Sequence, residues 1–316
     1  MLRTAFSIAS PGGPHGRLTT FIFHRVLPES DPLFPDEPDT RCFSEVLGWI
    51  ASWFNVLSLP VAVDCLKEAK LPPRAAAITF DDGYADNFTL ARPILRQHGL
   101  SATFFIATGF LDGGRMWNDT VIESLRQCRE TVLDLEPLAL GRHDIADLAG
   151  KRAAIHAIIG RIKYLPVAER AALSERIAEI AGATPPDDLM MTSAQVVEMR
   201  KSGMQIGAHT LTHPILARLD PPRAREEIGG SKRILEKLLG EEVPLFAYPN
   251  GKPDEDYRAE HAAIVRDAGF TAAVSTAWGA ADAASDLYQL PRFTPWDKTR
   301  VRFGMRLLGN LRKTGR

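Results

Sequence analysis

Ala75-Ala76-Ala77-Ile78-Thr79-Phe80-Asp81-Asp82-Gly83 is the stretch that decides the fold. An apolar run closes on two adjacent acids, and a glycine follows. Ionised carboxylates at the edge of a core are costly unless a cation or hydrogen bonds compensate, so packing alone does not account for the pair. Neighbouring residues on a strand point to opposite faces. Asp81 and Asp82 can therefore share one site only where the strand ends and the backbone turns at Gly83. Downstream, His209-Thr210-Leu211-Thr212-His213 adds two imidazoles. Together the two segments offer three metal ligands and one spare carboxylate.

On both sides of this strand the pattern alternates. Residues 18–23 read as a buried strand ending at His24-Arg25, followed by a Pro/Asp-rich loop over 28–39 long enough to be functional. Helical spacing at 43–54, a short strand at 56–59 and a helix at 61–70 lead into Asp81. A helix at 87–98 and a strand at 102–107 follow. Later come a helix at 193–202, a strand at 205–208, a helix at 222–239, a strand at 245–247, a helix at 259–268, and strands at 271–274 and 290–294. Strands alternating with helices imply a mostly parallel sheet, and about seven or eight of them are enough to close a barrel.

The stretch from about 113 to 188 breaks this rhythm and reads as a helical insertion. Ile155, Ile158, Ile159, Ile162 and Leu165 share one helical face, and Leu173, Ile177 and Ile180 another. The expected organisation is a lead over 1–17, a barrel over 18–296 carrying the insertion, and a basic amphipathic tail over 297–316. In that tail Lys298, Arg300, Arg302, Arg306, Arg312, Lys313 and Arg316 surround Phe303, Leu307 and Leu311. Such a helix either rests on the anionic inner surface of a membrane or packs its leucines on the barrel.

The chain has 316 residues, 45% of them hydrophobic, with 38 Lys plus Arg against 39 Asp plus Glu. A net charge of -1 gives no global reason to bind nucleic acid. Cys42, Cys65 and Cys128 form no C-x-x-C, so neither a disulfide framework nor a cysteine metal site is indicated. The first residues run into Pro11-Gly12-Gly13-Pro14 without a signal-peptide core, and no window is long enough to span a bilayer. A soluble cytoplasmic protein is expected.

In a parallel barrel the loops at the strands' carboxyl ends build the site. His24, Asp81, Asp82, His209 and Asn250 all fall just beyond such ends and should converge. His209 and His213 have helical i, i+4 spacing, but Gly207 and Pro214 around them favour a turn. Two histidines and a carboxylate leave coordination positions open, the composition of a catalytic zinc-type site. Such a cation activates water and polarises a carbonyl, and a second carboxylate beside it can take the water's proton. Trp117 and Trp296 offer flat apolar faces on which a ligand ring could stack.

These motifs resemble the polysaccharide deacetylases, the NodB-homology group also called carbohydrate esterase family 4. Thr79-Phe80-Asp81-Asp82-Gly83 matches the family's T-F-D-D-G in full, and His209 to His213 matches its H-[ST]-x-x-H. The resemblance spans about 24–294 apart from the insertion. It implies a distorted (β/α) barrel of about seven strands and hydrolysis of the N-acetyl group of an amino sugar. It also implies that Asp81 is the general base and that Asp82, His209 and His213 bind a divalent metal, Zn2+ foremost, with Co2+, Ni2+ or Mn2+ as alternatives. Tyr84 and Tyr248, beside the motifs, are expected near the substrate with Trp117.

Two departures stand out. The family's third motif falls on Phe246-Ala247-Tyr248-Pro249-Asn250-Gly251, so its base-orienting arginine is Ala247. A backbone N–H at Asn250 can still serve the oxyanion, because that role needs no particular side chain. The family's late catalytic histidine falls on Arg292, which cannot be a general acid near neutral pH. The two absences are complementary: Arg292 would supply the charge that Ala247 lacks, and the amine's proton would come from Asp81 or His24. The chain looks closer to divergent deacetylases of exopolysaccharide and surface-glycan pathways, some of which share H-R-V after the first strand, here His24-Arg25-Val26. The expected substrate is an N-acetylated glycan or lipid-linked precursor. The rivals are a hydrolase of another non-peptide C–N bond and a glycan-binding barrel that has lost catalysis.

Overall fold

The computed structural model describes residues 2–313; Arg316 of the basic tail lies outside them. The strands are β1 (Leu18–Phe23), β2 (Asn55–Val56), β3 (Ala75–Phe80), β4 (Thr103–Ile106), β5 (Val132–Asp134), β6 (Arg142–Asp144), β7 (Gln205–Ala208), β8 (Leu245–Ala247) and β9 (Ala272–Val274). The helices are α1 (Leu2–Ala9), α2 (Thr40–Trp53), α3 (Leu59–Lys67), α4 (Arg92–Gln97), α5 (Trp117–Gln127), α6 (Leu148–Ile162), α7 (Val167–Ile180), α8 (Ser193–Lys201), α9 (Pro221–Leu239), α10 (Ala259–Asp267) and α11 (Arg300–Asn310).

Every residue of β1 and β3 is buried, as expected of parallel strands covered on both faces. All pairings of the seven-stranded sheet are parallel, in the order β1-β3-β4-β7-β8-β9 with β2 on the flank of β3. Register aligns the carboxyl ends: Phe23 pairs with Phe80, Phe80 with Phe104, Ile106 with Ala208, Ala208 with Phe246 and Ala247 with Val274. The residues just beyond these ends therefore open onto one rim.

The ring closes through a segment that is not a regular strand. Leu290 bridges Val274 on β9, and Phe293 bridges Phe21 on β1. The strand expected over 290–294 is reduced to these two bridges because Pro291 between them has no N–H for a ladder. The result is a distorted (β/α) barrel with a narrow seam. Stacked rings on Phe23, Phe80 and Phe104, 5.3 and 4.8 Å apart, fill the layer between the sheet and its helices.

Two regions, the lead and the insertion, differ from the sequence reading, and the tail takes one of its two expected arrangements. The lead contains α1, whose Phe6 is fully buried against Trp53 and Phe54 at 5.4 and 4.9 Å. Between α5 and α6 the insertion carries a short antiparallel hairpin, β5 with β6. It has its own core, in which Ile155, Ile158, Ile162 and Ile177 are buried, while Ile180, at the last turn of α7, is exposed. In the tail, α11 buries Phe303, Leu307 and Leu311 in the main core, with Phe303 meeting Phe21, Trp49, Trp53 and Phe293. This is the packing on the barrel expected as one of the two arrangements, while Val301 and Met305 of the same helix stay exposed. Among the described residues no helix is long and apolar enough to cross a membrane, and the three cysteines are free.

Candidate active site

At the end of β3 the backbone turns as the paired acids require. The Asp81 N–H donates to Phe23 O at 3.0 Å, Asp82 takes φ +77° and Gly83 φ +91°. A side chain at Gly83 would be strained at that φ, and its Cβ would crowd the Ile106 side chain at 3.2 Å. Asp82, Thr210, His213 and Asn250 are all non-glycine residues in the left-handed region, at roughly 1–2 kcal/mol each. Strained backbone at several residues of one rim is a feature of functional sites.

The histidine motif is a loop, as Gly207 and Pro214 implied. Glu227 of α9 holds it: its carboxylate accepts from the Leu211 and Thr212 N–H groups at 2.9 and 2.8 Å and from the Thr212 hydroxyl at 2.6 Å. His209 Nδ1 donates to Ala247 O at 2.8 Å, which turns Nε2 towards the acids. His209 Nε2 and His213 Nε2 each stand 3.4 Å from Asp82 Oδ1. One donor atom from each of the three residues lies within 4.8 Å of the others.

The charge states suit a cation. Burial opposes ionisation of Asp82, but the hydrogen bond to His209 and the charge of His213 hold its carboxyl well below the usual range. Burial dominates at His213 and pushes its imidazole down to about 4, against the pull of Asp82, so it is neutral as a ligand must be. At His209 burial is outweighed by Asp81 and Asp82, which raise its imidazole. A cation displaces that proton. The donor set, two imidazoles and a carboxylate, fits a divalent transition metal with open positions.

Asp81 stands beside the triad, 4.0 Å from His209 Nε2, and is held from below. Arg292, fully buried, donates from Nη1 to Oδ1 at 2.6 Å and from Nη2 to Oδ2 at 2.7 Å. Its Nε donates to Ser275 O at 2.8 Å and its Nη1 also to Thr79 Oγ1 at 3.2 Å. The pair is a planar fork-to-fork contact that lysine could not make. Burial works against the Asp81 carboxylate, yet Arg292 brings it below the ordinary range. The seam segment thus fills the place left empty at Ala247.

A cavity of about 300 Å³ lies over the site, lined by His24, Asp81, Asp82, Trp117, His209, His213 and Asn250 among others. Seven residues singled out in the sequence therefore do meet. The Asn250 N–H has no hydrogen-bond acceptor among the described residues. Two expectations are corrected. Tyr248 is in the core, stacked on Tyr257 at 3.7 Å with its hydroxyl donating to Tyr288 O; it adjoins the motif in sequence but points to the other face of the chain. Tyr84 lines a neighbouring cavity of about 280 Å³ instead, its ring under Arg25 and its hydroxyl donating to Asp119 at 3.1 Å. Trp296 is 60% exposed and lines neither cavity. Glu227, Lys163 and Arg170 went unnoticed in the sequence, because a charged residue on a helix reads as a solvated one.

A family model described as polysaccharide deacetylase matches residues 68–132 and 148–273. Among curated proteins, YxkH of Bacillus subtilis is 23% identical over 226 residues, 72% of this chain and 53% of that protein. The chain thus spans about half the length of this relative. Among solved structures, Streptococcus pyogenes deacetylase PplD in complex with acetate superposes with a TM-score of 0.62 at 19% identity, covering 93% of this chain and 98% of the other. IcaB from Ammonifex degensii gives 0.58 at 19% identity, covering 96% and 99%. At these identities the two structures speak for the fold.

Proposed function

The chain belongs to the polysaccharide deacetylase family, and from that premise we propose that it removes the N-acetyl group from an N-acetylhexosamine in a glycan or glycan precursor. The observation that carries the reading is an open two-histidine, one-carboxylate triad beside a second carboxylate, Asp81, fixed by a fully buried arginine. Asp82, His209 and His213 would hold a divalent cation, with Zn2+ favoured by the ligand types. When bound there, such a cation lowers the pKa of water towards neutrality and draws charge from the acetamide oxygen.

The chain's own residues supply the rest. Asp81, ionised and oriented by Arg292, accepts the proton of the attacking water. The Asn250 N–H donates to the oxygen on which negative charge develops, a role that needs only a positioned dipole. The C–N bond then breaks as the amine is protonated, by Asp81 returning its proton or by His24, which lines the same cavity. Arg292 donates and never releases a proton. The bidentate pair answers one of the two grounds for a barrel that has lost catalysis, the missing base-orienting arginine; the other, the late histidine, is the position that Arg292 itself occupies.

The test is acetate release from N-acetylglucosamine oligomers by the full chain, before and after chelation and after readdition of Zn2+, Co2+, Ni2+ or Mn2+. Release that a chelator abolishes and a metal restores supports the reading. Hydrolysis of non-sugar amides with no acetate from any acetylated glycan would overturn it.

A further inference from the structure

The insertion brings to this cavity two cations that the reaction does not use, Lys163 and Arg170. Arg170, on α7, is 3% exposed and lies over the Trp117 ring, its guanidinium carbon 4.7 Å from the centroid. Its Nη1 donates to Lys163 O at 3.3 Å, while its Nε is buried without a partner. Burial pulls the guanidinium down to about 10, with Glu227 opposing, so it is still a cation at neutral pH. Glu227 does not neutralise it by contact, since that carboxylate is committed to the loop at Leu211 and Thr212. A buried cation without a contacting anion is costly, and here it faces a cavity.

An adjoining cavity of about 450 Å³ shares Lys163 and Arg170 and adds Arg218 and Arg223. None of these four cations has an ion-pair partner among the described residues. Of the two carboxylates there, Asp220 accepts the Arg223 N–H at 2.8 Å as the cap of α9, and Glu227 is occupied as described. Arg218 and Arg223 are exposed and meet solvent, so it is the charge of buried Arg170, with half-buried Lys163, that is left for something that enters.

We propose that the substrate carries an anionic group, a uronate carboxylate or a phosphate, next to the acetylated sugar, and that Arg170 with Lys163 binds it. The place of the sugar rests on the deacetylase reading; the anion site itself does not. Trp117 lies against the guanidinium, and Nε and Nη2 make no hydrogen bond among the described residues, which leaves two donors for a bidentate contact of the kind carboxylate and phosphate both accept. A neutral chain in the same place would strip water from Arg170 and return nothing.

Calorimetric binding to the Zn2+-loaded full chain tests this with two matched pairs. The first is a neutral N-acetylglucosamine tetramer against a tetramer alternating N-acetylglucosamine with glucuronate. The second is N-acetylglucosamine against its 1-phosphate. At least one anionic ligand should bind about tenfold or more tightly than its neutral match, the scale of a charge-assisted hydrogen bond, and the larger advantage identifies the anion. Arg170→Gln should cut that advantage to about threefold or less. Lys163→Gln, at a half-buried position, should lower it at least threefold and keeps the test standing if the first variant fails to fold. No advantage for either anion, or an advantage that survives in both variants because the anion sits on the metal, overturns the proposal. Acetate is assayed in the same samples. Binding that depends on Arg170 without acetate release removes the deacetylase reading and leaves the anion site, and acetate release without anionic preference does the reverse.

Discussion

Replacing Arg292 with methionine fills most of the arginine's aliphatic volume and withdraws every donor it supplies. Asp81, 3% exposed, loses contacts at 2.6 and 2.7 Å, and Ser275 O loses one at 2.8 Å. Thr79 keeps its own bond, since its hydroxyl donates to Phe21 O. A buried carboxylate left without its partner costs about 3–5 kcal/mol. With an unfolding entropy of about 2.1 cal/mol/K per residue over 316 residues, 4 kcal/mol lowers Tm by about 6 °C. Asp81→Asn combined with Arg292→Met removes the stranded charge and should be at least ~2 kcal/mol more stable than Arg292→Met alone. Urea unfolding of the four proteins in chelator at pH 7 reads both numbers. Arg292 holds the Asp81 pKa down, so its stabilisation is present above the unfolded value near pH 4 and lost as pH falls through the folded one. The gap between wild type and Arg292→Met should therefore narrow below about pH 4. If the two single substitutions add within about 0.5 kcal/mol, the pair is not coupled and the orienting role is wrong.

Asp81→Asn should retain metal and lose acetate release by about 10²-fold or more; full activity in that variant would remove Asp81 as the base. His213→Ala should lose most of the bound metal by elemental analysis, and undiminished metal would break the triad assignment. Asp119 is buried, with its Oδ2 unpartnered, and burial raises its carboxyl to about 7. A raised acid means that the folded state holds the extra proton, so its stabilisation is complete below about pH 4 and lost as pH rises through about 7, roughly 4 kcal/mol in all. Asp119→Asn should flatten the fall in urea midpoint between pH 5 and 8; an unchanged slope would place the titration elsewhere. Phe6→Ala should cost about 3–5 kcal/mol, and a loss below about 1 kcal/mol would mean that α1 is not part of the cooperative unit.

The barrel strands were legible because both of their faces are covered, which turns them into continuous apolar runs such as Ala75–Phe80. Asp81, Asp82, His209 and His213 were legible because two adjacent acids closing an apolar strand are too costly to bury unless a site uses their charge. Arg292 could be inferred only from two absences, as nothing local marks an arginine after a proline as buried. Tyr248 misled because adjacency in sequence says nothing about which face of the chain a side chain takes. The hairpin β5 with β6 has strands too short for an alternation to show, and α1 rests on a single buried anchor, Phe6. Arg170 looks like any charge on a helix, and only the Trp117 ring and the unpaired Nε distinguish it.

Asp81 and Arg292 are 211 residues apart along the chain, and the arginine rides on the segment that joins β9 to β1 through two isolated bridges. That seam has far less ladder than the β1–β3 pairing, which runs through six registered pairs, so it opens more readily than that pairing. The triad draws no residue from the seam and would survive such opening; the orientation of Asp81 would not. On the proposed function, hydrolysis would be conditional on the ring being whole: a molecule that came unzipped would keep its triad and lose the oriented base before it fell apart.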